Sequence, residues 1–401
     1  MKHHLQLFVL VFFSLAATSL SAFAQEEPPA VAAYLDAMKR QAEGYSRPSY
    51  GSIEPDGQGG AVLNDVNWSM KQPDAEITVK FGRMVISGVS QRPSGAYSFK
   101  SVLTENIIMS MDLPDTGPIT IKIPSAPATN VHILPESSGD GIDYSDLLGA
   151  MVYEASTIPV ISILVAGQSF DIKNTTIKWS GDPDTGLGKW DFLLESAVVP
   201  VSAIPNPKFQ KDMKEEFGIE QFDLGIEGSA SIIGQNDKFD IAYAIRLTGK
   251  QIGNFEFAIA AQEIPGKLAA ELKQLQAGKQ PNMGQIMPLV IGVKLAKLKI
   301  RFVDNNFARK MMAFAAKEQG TTVETMTSNG AALIQVGLMQ LNLPEFSKTV
   351  IEAYNAFVKN PKNISIEASP EAPVTLATLM GLLAAPAKAI ETLGVKVEAN
   401  K

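Results

Sequence analysis

Between Lys294 and Gly320 the spacing of apolar residues changes from two to 3.6, and this restricts the fold more than any other feature of the chain. Leu298, Ile300 and Phe302 alternate with Lys297, Lys299 and Arg301, which puts three apolar side chains on one face of a strand and three cations on the other. Asp304, Asn305 and Asn306 follow, all residue types that cap helices. Phe307, Met311, Phe314 and Glu318 then fall on one helical stripe before Gly320. A half-buried strand that runs straight into an amphipathic helix predicts a helix folded back onto a sheet.

The start of the chain predicts export. Lys2, His3 and His4 precede an almost continuous apolar run from Leu5 to Ala17, and Ala22-Phe23-Ala24 forms a small-x-small cleavage site before Gln25. The apolar run is about 13 residues, short of the roughly 20 that cross a bilayer, so residues 1–24 read as a cleaved signal peptide. The mature chain is expected in the periplasm or secreted, and not membrane-spanning. It contains no cysteine, so it must be held by its core alone, which a hydrophobic content of 45% permits. Residues 25–206 carry 12 basic and 22 acidic side chains, whereas residues 207–401 carry 22 and 20. This contrast marks an N-terminal β-rich region, 25–206, and a C-terminal α+β region, 207–401. An acidic chain without a basic cluster excludes nucleic acid as a partner.

A helix is expected over Ala30–Glu43, then a Gly/Pro-rich loop to Gly60. Short alternating runs follow: Val62–Met70, Glu76–Val79, Arg83–Val89, Ala96–Leu103, Ile107–Met111 and Ile119–Ile123. Ser145–Glu154 reads as a short helix. Ile158–Leu164, Phe170–Trp179 and Trp190–Val201 read as strands, the second with a slip of parity that suggests a bulge. A faint echo between Asn64–Trp68 and Asn174–Trp179 suggests duplicated sheet units. After a helix at Pro207–Phe217, three strands beginning near Phe222, Phe239 and Phe255 each keep one parity across turn-rich joins. A helix at Gly266–Gln276 precedes the strand at Lys294. Beyond Thr321 the pattern is mainly helical, with Gly330 interrupting one helix, a short strand at Ile364–Ala368 and a last one at Val395–Val397. The fold class expected is α+β: an extended, twisted antiparallel β-sheet with helices packed on one side and a helical C-terminal part.

No catalytic residue, metal ligand or cofactor site is expected. His132 is the only histidine after residue 24, and it sits in an apolar strand pattern without a nucleophile-elbow motif. The carboxylates of Asp140, Asp143 and Asp146 lack calcium-loop spacing, and Asp182-Pro183-Asp184-Thr185-Gly186 has the composition of a turn. Asp56 to Gly60 is glycine-rich but lacks the lysine of a phosphate loop. Lys297, Lys299 and Arg301 have two readings, a contact for anionic headgroups or a solvated face that blunts sheet-edge pairing. Fifteen methionines among aliphatic strands suit a groove for an acyl chain. The leading function is therefore a non-enzymatic exported protein that binds lipid, another apolar ligand or an envelope client in a sheet-and-helix groove. A structural or envelope-interaction protein with a filled core is the alternative, and a carboxylate-based hydrolase the third reading.

The segment Leu298 to Arg309, L-K-I-R-F-V-D-N-N-F-A-R, resembles one that recurs in uncharacterised exported proteins of alphaproteobacteria. The ending from Phe357 to Ile366, with Pro370 to Pro373, resembles the helix, Asn/Asp-Pro-Lys and strand ending of the same group. The similarity spans about residues 222–400 and extends distantly to the YdgA-like bacterial family. It implies a signal peptide and a long sheet, and it assigns no catalytic residues.

Overall fold

The computed structural model describes residues 27–40, 46–72, 75–113, 117–135, 148–165, 167–235, 237–268, 271, 283–339, 343–382 and 385–401. The expected signal peptide, the loop with Asp140, Asp143 and Asp146, and most of the expected Gly266–Gln276 helix lie outside these residues. The chain divides into two compact units, residues 1–197 with 269–280, and residues 198–268 with 281–401. Every strand pairing is antiparallel, fifteen strands being described, and with the helices this makes the fold α+β.

In the first unit, helix α1 (Pro29–Arg40) precedes the strands β1 (Ser52–Pro55), β2 (Ala61–Gln72), β3 (Ala75–Gln91), β4 (Tyr97–Leu113), β5 (Gly117–Ile133), β6 (Met151–Val165), β7 (Gln168–Gly181) and β8 (Gly188–Pro200), paired in chain order. The apolar stripe of α1, with Val31, Leu35, Ala37 and Met38 buried, packs over β4 and β5. The Tyr34 ring meets Phe99 edge-on at 5.4 Å. Trp68, Phe81, Phe99, Leu63 and Met84 are among the fully buried side chains of this unit. Residues 151–154, expected to end a helix, instead open β6.

Strands β3, β4 and β5 each run 17 residues, longer than any alternating run in the sequence. The reason lies in lines of irregular residues that cross the sheet. Asp65, Gly82, Asn106 and Pro124 are skipped by the register of four neighbouring strands, and so are Gly88, Lys100, Asn130 and Glu154. Asp65, Asn106 and Asn130 have positive φ of 52°, 56° and 46°. Asn and Asp tolerate this left-handed conformation better than other side chains. Gly88, at φ 65°, also lies so close to the next strand that a Cβ there would stand 2.4 Å from Lys100 Cβ. Each crossing reverses the inward parity: in β4 the buried apolar and Thr side chains are Phe99, then Val102 and Thr104, then Ile107, Met109 and Met111, with Ser98 buried against His132 on the neighbouring strand. Asn174, at φ 51°, does the same between β6, β7 and β8, and its amide donates to Glu195 as that of Asn130 donates to Glu154.

In the second unit a short 3-10 turn leads to helix α2 (Pro207–Glu215), whose first turn is fixed by Pro207 and by Phe209 N donating to Asn206 Oδ1 at 3.0 Å. The strands β9 (Gln221–Gln235), β10 (Lys238–Gly249) and β11 (Gly253–Pro265) form the expected meander. Helix α3 (Met283–Val290) precedes β12 (Lys294–Asp304), and then come α4 (Phe307–Glu318), α5 (Val323–Met339) and α6 (Pro344–Lys359). The chain ends with β13 (Asn363–Ala368), β14 (Val374–Thr375), α7 (Leu376–Leu382), α8 (Pro386–Leu393) and β15 (Lys396–Ala399). The strand order is β9-β10-β11-β12-β13-β15, and β14 pairs the start of β12.

Asp304, the last residue of β12, caps α4: its Oδ1 accepts from Phe307 N at 3.1 Å and Ala308 N at 2.7 Å. Helix α4 folds back at one corner of the sheet. Phe307 and Phe314 lie 5.3 Å from the Phe217 ring, in a cluster with Val201, Met213, Ile219 and Phe222. Gly330 is a contact rather than a weak point, because a Cβ there would stand 2.3 Å from Tyr354 Oη, which donates to Thr327 O at 3.3 Å and joins α5 to α6.

The left-handed bulges predict a residue-specific response. Asn106→Gly should change stability by only a few tenths of a kcal/mol, whereas Asn106→Val should cost about 1–3 kcal/mol, as expected for a β-branched residue forced to positive φ. Urea unfolding of the two variants checks this, and equal losses would show that backbone conformation is not what selects Asn106.

Candidate functional site

The register of the second unit sorts its side chains by chemistry. Opposed residues share a face, so Leu247, Phe255, Phe302, Ile364 and Ala399 form one row across β10, β11, β12, β13 and β15. Ile245, Phe257, Ile300, Ile366 and Val397 form the next, and Tyr243, Ile259, Leu298 and Ala368 the one after. Beside α6 part of this face is covered. Helix α6 packs on β13 and β15, Phe357 lies 6.3 Å from Phe302, and Ala368 and Val397 are buried. Elsewhere, from β10 to β13, it is open: Leu247, Phe255, Ile300 and Ile366 are 39%, 38%, 39% and 50% exposed. Tyr243 lies on the same face with its ring 6.4 Å from Phe257, and burial raises its phenol pKa.

The sequence places Ile300 and Phe302 together in a core, and the structure separates them. Phe302 faces α6, whereas Ile300 lies in the open stretch. The residues that sequence reasoning missed are Leu247, Phe255 and Ile366. Alternation assigns them to the apolar face, but exposure depends on how far the helices reach, which periodicity does not encode.

The opposite face is a lattice of charge. Glu227, Arg246, Glu256 and Arg301 stand directly opposite one another across β9 to β12. Arg246 lies 3.2 Å from Glu227 and 3.4 Å from Glu256, and Glu256 also receives Lys299 at 3.3 Å and Arg301 at 4.0 Å. Lys297 lies 3.5 Å from Glu367. The three cations considered for anionic headgroups are thus all placed beside carboxylates, on the face away from the apolar rows. A headgroup there would compete with Glu256 and Glu367.

His132, Asp182 and Asp184 of the first unit have structural partners. His132 Nδ1 lies 2.8 Å from Ser98 Oγ, a directly opposed pair on β4 and β5, with the Trp179 ring 5.9 Å away. Asp182 accepts from Asp184 N and Thr185 Oγ1, both at 3.0 Å, and so builds its own turn. Asp184 is held by Ser94 Oγ at 2.6 Å and by Arg92, whose guanidinium also donates to Pro183 O and Ile133 O. Among the described residues no group of three or more His, Asp or Glu side chains is placed to hold a metal ion, and no helix is long and apolar enough to cross a membrane.

The second unit is an α+β sheet module with one ion-paired face and one partly roofed apolar face. A family model described only as "Uncharacterized protein" matches residues 246–400, from within β10 to the end of β15, as expected for a resemblance confined to the C-terminal part. No curated protein matches the chain.

Two measurements check this geometry. Phe302→Ala should cost about 2–3 kcal/mol, since its half-buried ring packs on Phe357, and Ile300→Ala clearly less, below about 2 kcal/mol, because its side chain already meets solvent. A larger loss at Ile300 would mean the open stretch is core. Burial, and next the Arg92 charge, lower the His132 pKa, against smaller opposing effects of Glu154 and Asp184. The unfolded chain then binds its proton first, so the stability linked to neutral His132 is complete above about pH 6.5 and is lost as pH falls below it. Denaturation at a series of pH values should show the wild type losing more stability on acidification than His132→Gln. Parallel profiles would contradict the assignment.

Proposed function

We propose that this is an exported, non-enzymatic binding protein whose second unit holds an acyl chain or similar apolar ligand against the open sheet face. The exposure of Leu247, Phe255, Ile300 and Ile366, in two adjacent rows across four strands, carries this reading. Isolated exposed apolar side chains are ordinary on protein surfaces, but a contiguous set beside a covering helix is what an apolar ligand site presents. A sheet with a filled core would keep these side chains from water, and for that reason the purely structural alternative ranks second. The periplasm is the proposed location, from the signal-like residues 1–24, and the resemblance to exported alphaproteobacterial and YdgA-like proteins agrees with it.

Protein purified from the cell envelope should have the intact mass of a chain beginning at Gln25. Organic extraction followed by mass spectrometry should release lipid close to one equivalent per chain, and Leu247→Asp with Phe255→Asp should lose most of it, because a carboxylate on the apolar face must be desolvated when the ligand binds. Absence of co-purified lipid, together with no binding of a fluorescent fatty acid, would overturn the binding reading. A mass that retains residues 1–24 would overturn the export reading separately.

A further inference from the structure

The four exposed side chains of the open face lie on a diagonal. Leu247 opposes Phe255 across β10 and β11, and Ile300 opposes Ile366 across β12 and β13. The step between the two pairs runs from Phe255 to Ile300, two residues along β12 from the Phe302 that opposes Phe255. Diagonal neighbours of this kind stand about 7–8 Å apart, within reach of aromatic and long side chains. From Leu247 to Ile366 the diagonal covers three strand spacings and one two-residue step, roughly 16 Å.

Phe255, Phe302, Phe257 and Ile300 make a square on β11 and β12, and its other diagonal is different. Phe302 and Phe257 are half-buried, and each carries a second ring. Phe357 of α6 meets Phe302 at 6.3 Å and 74°, and Tyr243 meets Phe257 at 6.4 Å and 53°. The exposed diagonal therefore passes between two aromatic pairs, one on either side. Its Ile366 end is closed, because Val397, next in that row, is buried where α6 packs on β15. Its Leu247 end adjoins Ile226 on β9. The three rows themselves hold no charged side chain, so recognition along the diagonal is of hydrocarbon.

Aromatic side chains have few rotatable angles, and a ring packed against another ring yields little. A strip one side chain wide between two such pairs accepts one flexible chain laid flat. Two chains side by side, or a fused-ring skeleton, would ride up on Phe302 and Phe257 and lose contact with Phe255 and Ile300. We infer that the ligand is a single unbranched acyl chain lying along the diagonal from Leu247 to Ile366, with the Phe302–Phe357 and Phe257–Tyr243 pairs setting its width. Its methyl end lies toward α6 and its polar end leaves beside Leu247. This deepens the acyl-ligand reading and rests on it.

The test is displacement of a bound fluorescent fatty acid from the purified protein. The competitors are linear fatty acids of increasing length, single-chain lysophosphatidylcholine, a short-chain diacyl phosphatidylcholine and the soluble steroid cholate. Linear fatty acids should strengthen by up to about fourfold per methylene, the transfer free energy of one CH₂, and level off once the diagonal is filled. Lysophosphatidylcholine of equal chain length should match them within a few-fold, whereas the diacyl lipid and cholate should bind at least about tenfold more weakly. Phe357→Ala should narrow that gap to about threefold or less, because the strip then widens over Phe302, and Phe357→Leu, which keeps an apolar contact for α6, should narrow it partly. A Phe357 that only supports the fold would weaken every competitor by the same factor and leave the ratios unchanged. Equal binding of diacyl lipid or cholate by the wild type, or unchanged ratios in both variants, would overturn the inference while the acyl-ligand reading stands. Failure of the fluorescent fatty acid to bind at all would overturn both.

Discussion

The second unit depends on the register between its middle strands. Glu227, Arg246, Glu256 and Arg301 alternate in sign straight across β9 to β12, while one residue along, Ile245, Phe257 and Ile300 do the same in apolar chemistry. Displacing β12 by one position would turn Lys297, Lys299 and Arg301 toward the apolar face and leave Glu256 without two of its partners. Each cross-strand pair contributes only about 0.2–1 kcal/mol, but a slip breaks all of them at once. The charges serve alignment more than cohesion, and that alignment lets an apolar face remain open without loss of strand order.

Much of this unit was legible in the sequence because its strands keep one parity over most of their length, the register shifting near Phe239 in β10 and near Ala260 in β11. The meander from β9 to β11 and the switch from β12 to α4 follow from spacing alone. The first unit was legible only in fragments. Its long strands change parity wherever a left-handed Asn or Asp, or Gly88, crosses the sheet, and a change of parity looks like the end of a strand. The separate runs Ala96–Leu103 and Ile107–Met111 are one strand for this reason. The single slip noticed near Asn174 is one instance of a device that recurs at Asp65, Asn106 and Asn130.

The candidate site was less legible than the fold. Alternation shows which residues of β10 to β13 share a face, but cover is decided by helices far along the chain, such as α6 over Phe302. Ile300 and Phe302 are two residues apart with the same chemistry, yet one meets solvent and the other a helix. The partners of Lys297, Lys299 and Arg301 were equally hidden, since Glu256 and Glu367 reach them only through pairing with β11 and β13. Gly330 shows the opposite error, where a residue that lowers helix propensity is what lets α5 approach Tyr354.

Asp304 belongs to two elements at once. As the last residue of β12 it pairs with Gly253, its amide donates to Lys362 O, and one of its carboxylate oxygens holds the first two turn amides of α4. A helix start usually frays independently of the strand before it, since the linking residues can swing away. Here the cap cannot leave without opening the end of the strand, and the strand end cannot open without exposing the helix amides. The amides of Phe307 and Ala308 therefore share the protection against hydrogen exchange of the sheet behind them, and the corner of the fold opens as one unit.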